Sequence, residues 1–427
     1  MKPHWRRPWR TGRLLGILIA AAFPWSAAHA QQISDLQESV EQRIERREMP
    51  DGIRLASWTL RPSAEVELIH DDNVHATATD PQGDAFIAAE LRASLASDFT
   101  RHALSGDAFY RRREFFTVHS ESVGEYGASL AARYDIDNRS NVTLRGRYQH
   151  LAERRGDIDS LVGAIAPAEF DTIEGQLTAV RRFNRFGVAL DGLLRKFTYD
   201  DVEIGGIAVD QRRRNFTLAK ATITADYELS SATSFLVRGE AERRRYELRL
   251  GDPGFDPAEL DRSADGVRIE AGLSRRITNL ISGTARFGYM RYTYPDRRIP
   301  AVQGLSYDIN LRWDVTPLTT VSLQALRRLD ETLSPESAGN LRDEVTFRVQ
   351  HELLRTVIIG AEASHASIDA SGTLPDSTDF RIGARVRWYA TRDITIEAGF
   401  SHRRRNSDSA PLDFTINQAS IGIVIRR

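Results

Sequence analysis

Arginines and carboxylates recur at every second position along much of this chain, and that spacing sets their chemistry. Arg92, Arg133, Arg145, Arg147, Arg238, Arg268, Arg286, Arg312, Arg348, Arg385 and Arg387 alternate with apolar neighbours, as do Glu240, Glu270 and Glu344. A guanidinium is a planar fork of donors that matches carboxylates and phosphates, so a ladder of them could line a path for an anionic polymer or solute. The acids on the same face, Glu65, Glu67, Glu90, Asp107, Glu174, Asp191, Asp308, Glu362 and Asp379 among them, allow a second reading. Cross-strand pairs would then cancel much of the field and act as a structural lattice.

Other reactive residues are sparse. Asp71-Asp72-Asn73 with Asp80 and Asp84 offers oxygen ligands for calcium, or is a solvated acidic loop. The histidines are scattered, with no HExxH pattern and no pair at ligand spacing. Ser364-His365 and Ser401-His402 are adjacent in sequence, which on a strand puts the two side chains on opposite faces. No catalytic residue, metal site or cofactor is therefore expected.

The elements that carry these residues must be strands. From Leu60 onward apolar residues keep a period of two, as in Tyr126, Ala128, Leu130, Ala132 and Tyr134, or Leu305, Tyr307, Ile309, Leu311 and Trp313. The opposite face is polar throughout. Such runs number about 18, each roughly 10 to 14 residues, longer than globular strands usually are. Short connections (Asp135 to Asn141, Phe183 to Phe186, Ser230 to Ser234, Thr278 to Leu280, Thr316 to Thr319, Leu354 to Thr356, Ala390 to Asp393) alternate with long ones (His70 to Asp84, Leu151 to Phe170, Asp200 to Arg213, Leu248 to Arg262, Pro295 to Gly304, Leu329 to Asn340, Ala366 to Thr378, Arg403 to Leu412). The residues before successive short turns, Tyr134, Arg181, Tyr227, Arg275, Trp313, His351 and Trp388, are 37 to 48 apart, so a hairpin repeats.

Propellers and sandwiches do not predict this strict alternation with strands this long, whereas transmembrane barrels do. Aromatics beside the short turns (Tyr134, Tyr227, Trp313, Trp388, Tyr389) and toward the long loops (Tyr110, Tyr148, Tyr199, Tyr289, Tyr292, Phe400) suit two interfacial girdles. The expectation is all-β: a transmembrane antiparallel up-and-down barrel of about 18 strands, with 16 as the fallback, over residues 59–427.

Composition agrees with an exported protein. Residues 1–30 carry a basic start, the apolar run Leu14 to Phe23, and Ala28-His29-Ala30 before Gln31, a secretory signal. No other apolar run approaches the ~20 residues of a membrane helix. Cysteine is absent, which excludes disulfides and thiolate metal sites, and 58 basic against 59 acidic residues exclude a basic nucleic-acid binder. Residues 31–58 form a periplasmic segment with one short helix. Ser34-Asp35-Leu36-Gln37 reads as its capping box, and Ile33, Leu36, Val40 and Ile44 as its apolar stripe. That helix is a free tail, a plug or a partner-docking element.

LRPSAEVELIHDDNV (Leu60 to Val74), TRHALSG (Thr100 to Gly106), PAEFDT (Pro167 to Thr172), RRFNR (Arg181 to Arg185) and HELLR (His351 to Arg355) resemble outer-membrane β-barrel proteins of the putative β-barrel porin type, often encoded beside exopolysaccharide or capsule genes. The resemblance spans Leu60 to the end and supplies no catalytic residue. It implies a cell outer-membrane location and, by association, a conduit for exopolysaccharide or capsular polysaccharide, with export machinery as a partner. Both termini would be periplasmic. The alternatives are a general or solute-specific porin and a non-conducting barrel that scaffolds an envelope complex. Many such barrels end on an aromatic residue, whereas this chain ends Ile423-Val424-Ile425-Arg426-Arg427. Lipid and lipopolysaccharide are the expected surroundings. Arg111 to Arg113, Arg212 to Arg214, Arg243 to Arg245 and Arg403 to Arg405, read as standing where strands meet long loops, are candidates for bridging lipopolysaccharide phosphates or are plain loop charge.

Overall fold

The computed structural model describes residues 39–157, 164–330, 337–372 and 375–427. The proposed signal and the Ser34 capping box lie outside them.

The period-two segments become 18 antiparallel strands in one closed barrel. They are β1 (Trp58–Asp71), β2 (Asp84–Ser97), β3 (Ala103–Phe115), β4 (Val123–Asp137), β5 (Ser140–Ala152), β6 (Glu169–Phe183), β7 (Phe186–Tyr199), β8 (Phe216–Ser230) and β9 (Thr233–Tyr246). There follow β10 (Ala264–Arg276), β11 (Ile281–Thr293), β12 (Val302–Thr316), β13 (Thr319–Asp330), β14 (Ser337–Leu354), β15 (Val357–Gly372), β16 (Ser377–Tyr389), β17 (Ile394–Ser407) and β18 (Phe414–Arg426). Each pairs with its sequence neighbours, and β1 closes the ring on β18 from Ser63↔Arg426 to Asp71↔Gln418. Closure leaves no sheet edge to satisfy in lipid. Small extras decorate the ring: Ile53–Leu55 pairs with the start of β1, and Val202–Ile204 with Ile207–Val209 inside one loop.

Seven of the turns at one end match the short connections read from the sequence, and the loop 98–102 is an eighth. Three long loops are shorter than expected. β14 starts at Ser337, β15 runs to Gly372 and β17 to Ser407, so Arg403, Arg404 and Arg405 lie within a strand. The turn-forming residues that mark a loop in sequence are here strand residues whose backbone continues the ladder beyond the apolar belt.

The outer face carries Leu68, Leu91, Leu130, Leu194, Ile269 and many similar exposed residues. On β10 the outward charges Asp265 and Arg275 stand ten residues apart, with Val267, Ile269, Ala271 and Leu273 between them. At ~3.4 Å per residue and a tilt of ~40°, that is a belt of about 26 Å, the height of the apolar band of such barrels. Three aromatics assigned to the girdles do not belong there. Tyr389 and Tyr292 are each 2% exposed and Tyr199 is buried, all facing inward, because a residue adjacent to outward Trp388, or three from outward Tyr289, falls on the other face.

The long loops fold over their end of the barrel and interlock through buried polar groups. Gly156, at φ +74°, lies where a Cβ would meet Phe414 and Ala76. Arg155 bonds Glu121 at 2.7 Å, and Arg214 bonds Glu153. Asp296 staples two loops: its carboxylate accepts from the Asp261 N–H at 3.1 Å and from Arg298 at 2.6 Å, while Arg298 also donates to the Pro257 carbonyl at 2.6 Å. The Arg298 guanidinium is the main reason the Asp296 carboxyl is pushed down to about 2, with the Arg298 and Asp261 N–H groups adding to it. A depressed carboxyl contributes stability that is complete above its unfolded value near 3.8 and lost as pH falls through about 2. The protection of the Asp261 amide, its exchange rate relative to the intrinsic rate at each pH, should therefore stay constant from neutrality to about pH 4 and fall between about pH 4 and 2. Unchanged protection through that window would show that the staple does not hold the loops.

Candidate functional site

Alternation places the charged candidates on the inner wall, opposite the exposed apolar residues, and most of them bind each other. Arg92 pairs with Glu90 and Asp107, both at 2.9 Å. Glu240 gathers Arg238 at 2.8 Å, Arg268 at 3.3 Å and Lys220 at 3.7 Å. Arg286 bridges Asp308 and Glu270, and Glu270 also accepts from the Ser306 hydroxyl. Arg312 holds Asp314 at 3.0 Å, and Arg348 holds Glu362 at 2.6 Å. Glu344 takes Arg342 at 2.7 Å, Arg133 takes Asp135 at 2.8 Å, and Arg385 takes Glu397 at 3.3 Å. Arg147 stands opposite Glu174 in register. Arg145, opposite Gln176 and Ala131, has no ion pair among the described residues. Glu65 and Glu67 on β1 are likewise without one.

Two features of the interior depend on contacts between segments far apart in sequence. The first is a node at the long-loop end. Asp379, 1% exposed, accepts from Arg381 at 2.8 Å, Arg403 at 2.8 Å and Arg405 at 3.0 Å. Arg403 and Arg405 also stack over the Phe414 ring. The period-two rule puts these residues on one face, but which neighbours share a carboxylate depends on strand register: Asp379↔Arg405 and Arg381↔Arg403.

The second is the helix α1 (Val40–Glu48), which occupies the short-turn mouth. Its cap is Ser39, five residues after the expected Ser34. The Ser39 hydroxyl accepts from the Gln42 N–H at 3.1 Å, and the Gln42 side chain accepts from the Ser39 N–H at 2.8 Å. Val40 and Ile44, wholly buried, pack on Ile358 and Tyr389 of the inner wall. Arg387 reaches Glu41 at 2.7 Å, Glu45 at 3.2 Å and Glu397 at 2.7 Å. The Val40 N–H bonds the Thr320 hydroxyl at 3.3 Å, and Arg47 pairs with Glu352 at 3.4 Å. This geometry is not that of a free tail, because the helix is seated on the inner wall through apolar, ionic and hydrogen-bonded contacts.

The remaining candidates separate. Asp71 accepts from the Asn73 N–H and Gln418, Asp72 from Asn417, and Asp84 from the N–H groups of Thr117 and Val118. These carboxylates fasten loops, so the calcium arrangement does not form. A different group comes together on the outer rim: His150, Glu169 and Asp200, with His150 bonded to Glu169 at 2.8 Å and to Asp171 at 3.0 Å. Ser364 is buried inside while His365 is exposed outside, and His402 bonds Asn417, so neither serine meets its neighbouring histidine. The arginine runs are divided by alternation: Arg111 and Arg113 turn inward to Glu125, whereas Arg112 points out to Glu114.

A closed ring of 18 strands, apolar outside over one bilayer thickness and charged inside, defines an outer-membrane β-barrel of the porin class. The chain belongs to the family described as Putative beta-barrel porin 2, whose model matches residues 49–427. No curated protein matched it. Among solved structures it is similar to the siderophore receptor PirA of Acinetobacter baumannii, with 7% identity and TM-score 0.50 over 86% of this chain and 80% of that one. A BenF-like porin of Pseudomonas fluorescens Pf-5 (10% identity, TM-score 0.49, 87% and 100% covered) and OccK2 of Pseudomonas aeruginosa (11%, 0.48, 88% and 99%) are also similar. At these identities the likeness is one of fold.

Proposed function

We infer that the protein is a solute-conducting porin, with the long loops outside the cell and the short turns and α1 in the periplasm. The observation that carries this reading is the polar inner wall of a barrel whose strand number leaves an aqueous bore. Family membership supports the same reading. Polysaccharide export rests on genomic association alone, and no contact or cavity favours it over passage of small solutes.

The wall is mostly neutralised by its own pairs, so the bore should discriminate ions weakly and the unpaired charges should set what preference there is. Arg145 is the clearest of them. Arg145→Glu is expected to change stability by about 0.5 kcal/mol or less, since it breaks no pair, and to shift reversal potentials in a salt gradient toward cation preference. An unchanged reversal potential would place Arg145 off the conducting path.

A further inference from the structure

The outer wall holds a groove that the channel does not use. Across β6 to β10 the outward positions Gly175, Gly192, Ala219, Ala221 and Ala241 form its floor, and Leu177, Leu194 and Val267 its sides, around about 770 Å³. A Cβ at Gly175 or Gly192 would meet nothing within 4 Å, so the floor is an open-sided trough and not a packed surface.

Arg243 lines this trough, and strand register places three further cations around its long-loop end. Lys196 and Arg245 stand in one row, each opposite Thr217. Arg243 lies opposite Asp265, and Arg291 opposite Val267. The four span four strand steps, from β7 to β11, or about 19 Å at ~4.8 Å per step. Asp265 is the acid among them, bound by Arg243 at 2.9 Å and Arg245 at 2.7 Å. Lys196 and Arg291 have no ion pair among the described residues. The nearest outward acid on β6, Asp171, is taken by His150 and Tyr148, and Glu247 by Asn215.

Charges facing lipid are costly near the middle of the belt and tolerated at its edge, where long side chains reach the headgroups. Here Lys196 stands one outward position above Leu194, Arg243 stands opposite the position above Val267, and Arg291 is level with Val267, at the edge of the belt beside the trough. We propose that this face binds an acylated glycolipid with a phosphorylated headgroup, the lipopolysaccharide of the outer leaflet: one acyl chain lies along Gly175, Gly192 and Ala221, and the phosphates meet Arg243, Arg245, Lys196 and Arg291. Guanidinium forks suit phosphate oxygens, and the net positive rim matches a headgroup with two phosphates. The assignment rests on the long loops being extracellular and is independent of whether the bore conducts.

Native mass spectrometry of the detergent-purified barrel tests it, with bisphosphorylated lipid A, dephosphorylated lipid A and phosphatidylglycerol as probes. Lipid A should bind one per barrel and outcompete the other two. Arg243→Gln with Arg245→Gln should weaken lipid A roughly tenfold or more, as expected for lost charge-assisted bonds. Gly192→Leu, which fills open space, should also weaken it while leaving the heat-modifiable gel shift intact. Equal binding of phosphorylated and dephosphorylated lipid A, or variants that bind like the parent, would overturn the assignment. So would phosphatidylglycerol bound as tightly as lipid A, or an oligomer that retains no lipid A. A barrel that binds lipid A but carries no current would count against the porin reading and leave this one standing.

Discussion

Asp379→Ala should destabilise the barrel by about 3–5 kcal/mol, the usual consequence of removing one partner from a buried ion pair. Its carboxylate is almost wholly buried and holds Arg381, Arg403 and Arg405 at 2.8–3.0 Å. Without it three guanidiniums on β16 and β17 face one another, left with cation–π contacts to Phe414, the Gly156 carbonyl near Arg403 and a longer 3.9 Å pairing of Arg403 with the half-exposed Asp157. Asp379→Asn retains an acceptor and should lose less. Replacing Asp379 and its arginines together by apolar residues of similar size should recover much of the loss, because the cost lies in the uncompensated charges. Denaturant unfolding in micelles measures the difference, and the temperature of the heat-modifiable gel shift gives a second reading. A change below about 1 kcal/mol for Asp379→Ala would show that solvent reaches the node and already screens it.

Ile44→Asp should release α1 from the mouth. Val40 and Ile44 are its apolar anchors, and a carboxylate at position 44 would have to be buried against Ile358 and Tyr389, where the neighbouring cation Arg387 is already held by Glu41, Glu45 and Glu397. Breaking Arg387 instead would be less informative, since Glu397 also depends on it. A helix about 10–12 Å across and nine residues long covers between a fifth and a third of an 18-strand bore roughly 25 Å wide after side chains are subtracted. Single-channel conductance should then rise by roughly a quarter to a half, and trypsin should cut at Arg43, Arg46 or Arg47 in the variant before it cuts the parent. Parent-like conductance together with faster cleavage would mean that the helix is docked without narrowing the path.

The strands were legible because a transmembrane strand imposes one strong rule, an apolar residue at every second position, over a length that globular sheets do not reach. Val142, Leu144 and Tyr148 follow it, and so do Val386, Trp388, Ile394 and Phe400. The turns were legible because short and long connections alternate. Where the rule was set aside the reading failed: Tyr389 was assigned to a girdle although its neighbour Trp388 already occupied the outer face. The loop ends were misread at Arg403 to Arg405, where hydrophilic sequence continues a ladder above the membrane belt. Polar residues there satisfy the backbone as well as apolar ones do.

Less of the interior could be read. Period two says that Arg387, Glu397 and Asp379 face inward. It does not say that Arg387 will reach back some 340 residues to Glu41 and Glu45, because that contact depends on where α1 enters the barrel. The Ser39-x-x-Gln42 box was as visible as the Ser34 one, and Val40 and Ile44 were already part of the stripe. What sequence lacks is the partner surface of Ile358 and Tyr389, which strand pairing assembles. The outer groove was hidden for a similar reason, since Gly175, Gly192 and Ala221 become neighbours only through register.

Current through the folded protein in a planar bilayer tests the central claim most directly. Heat-modifiable, purified protein should give discrete, nearly ohmic openings with weak ion preference, larger in Ile44→Asp than in the parent. A folded barrel that carries no current above the bare bilayer, in both the parent and Ile44→Asp, would contradict the porin reading.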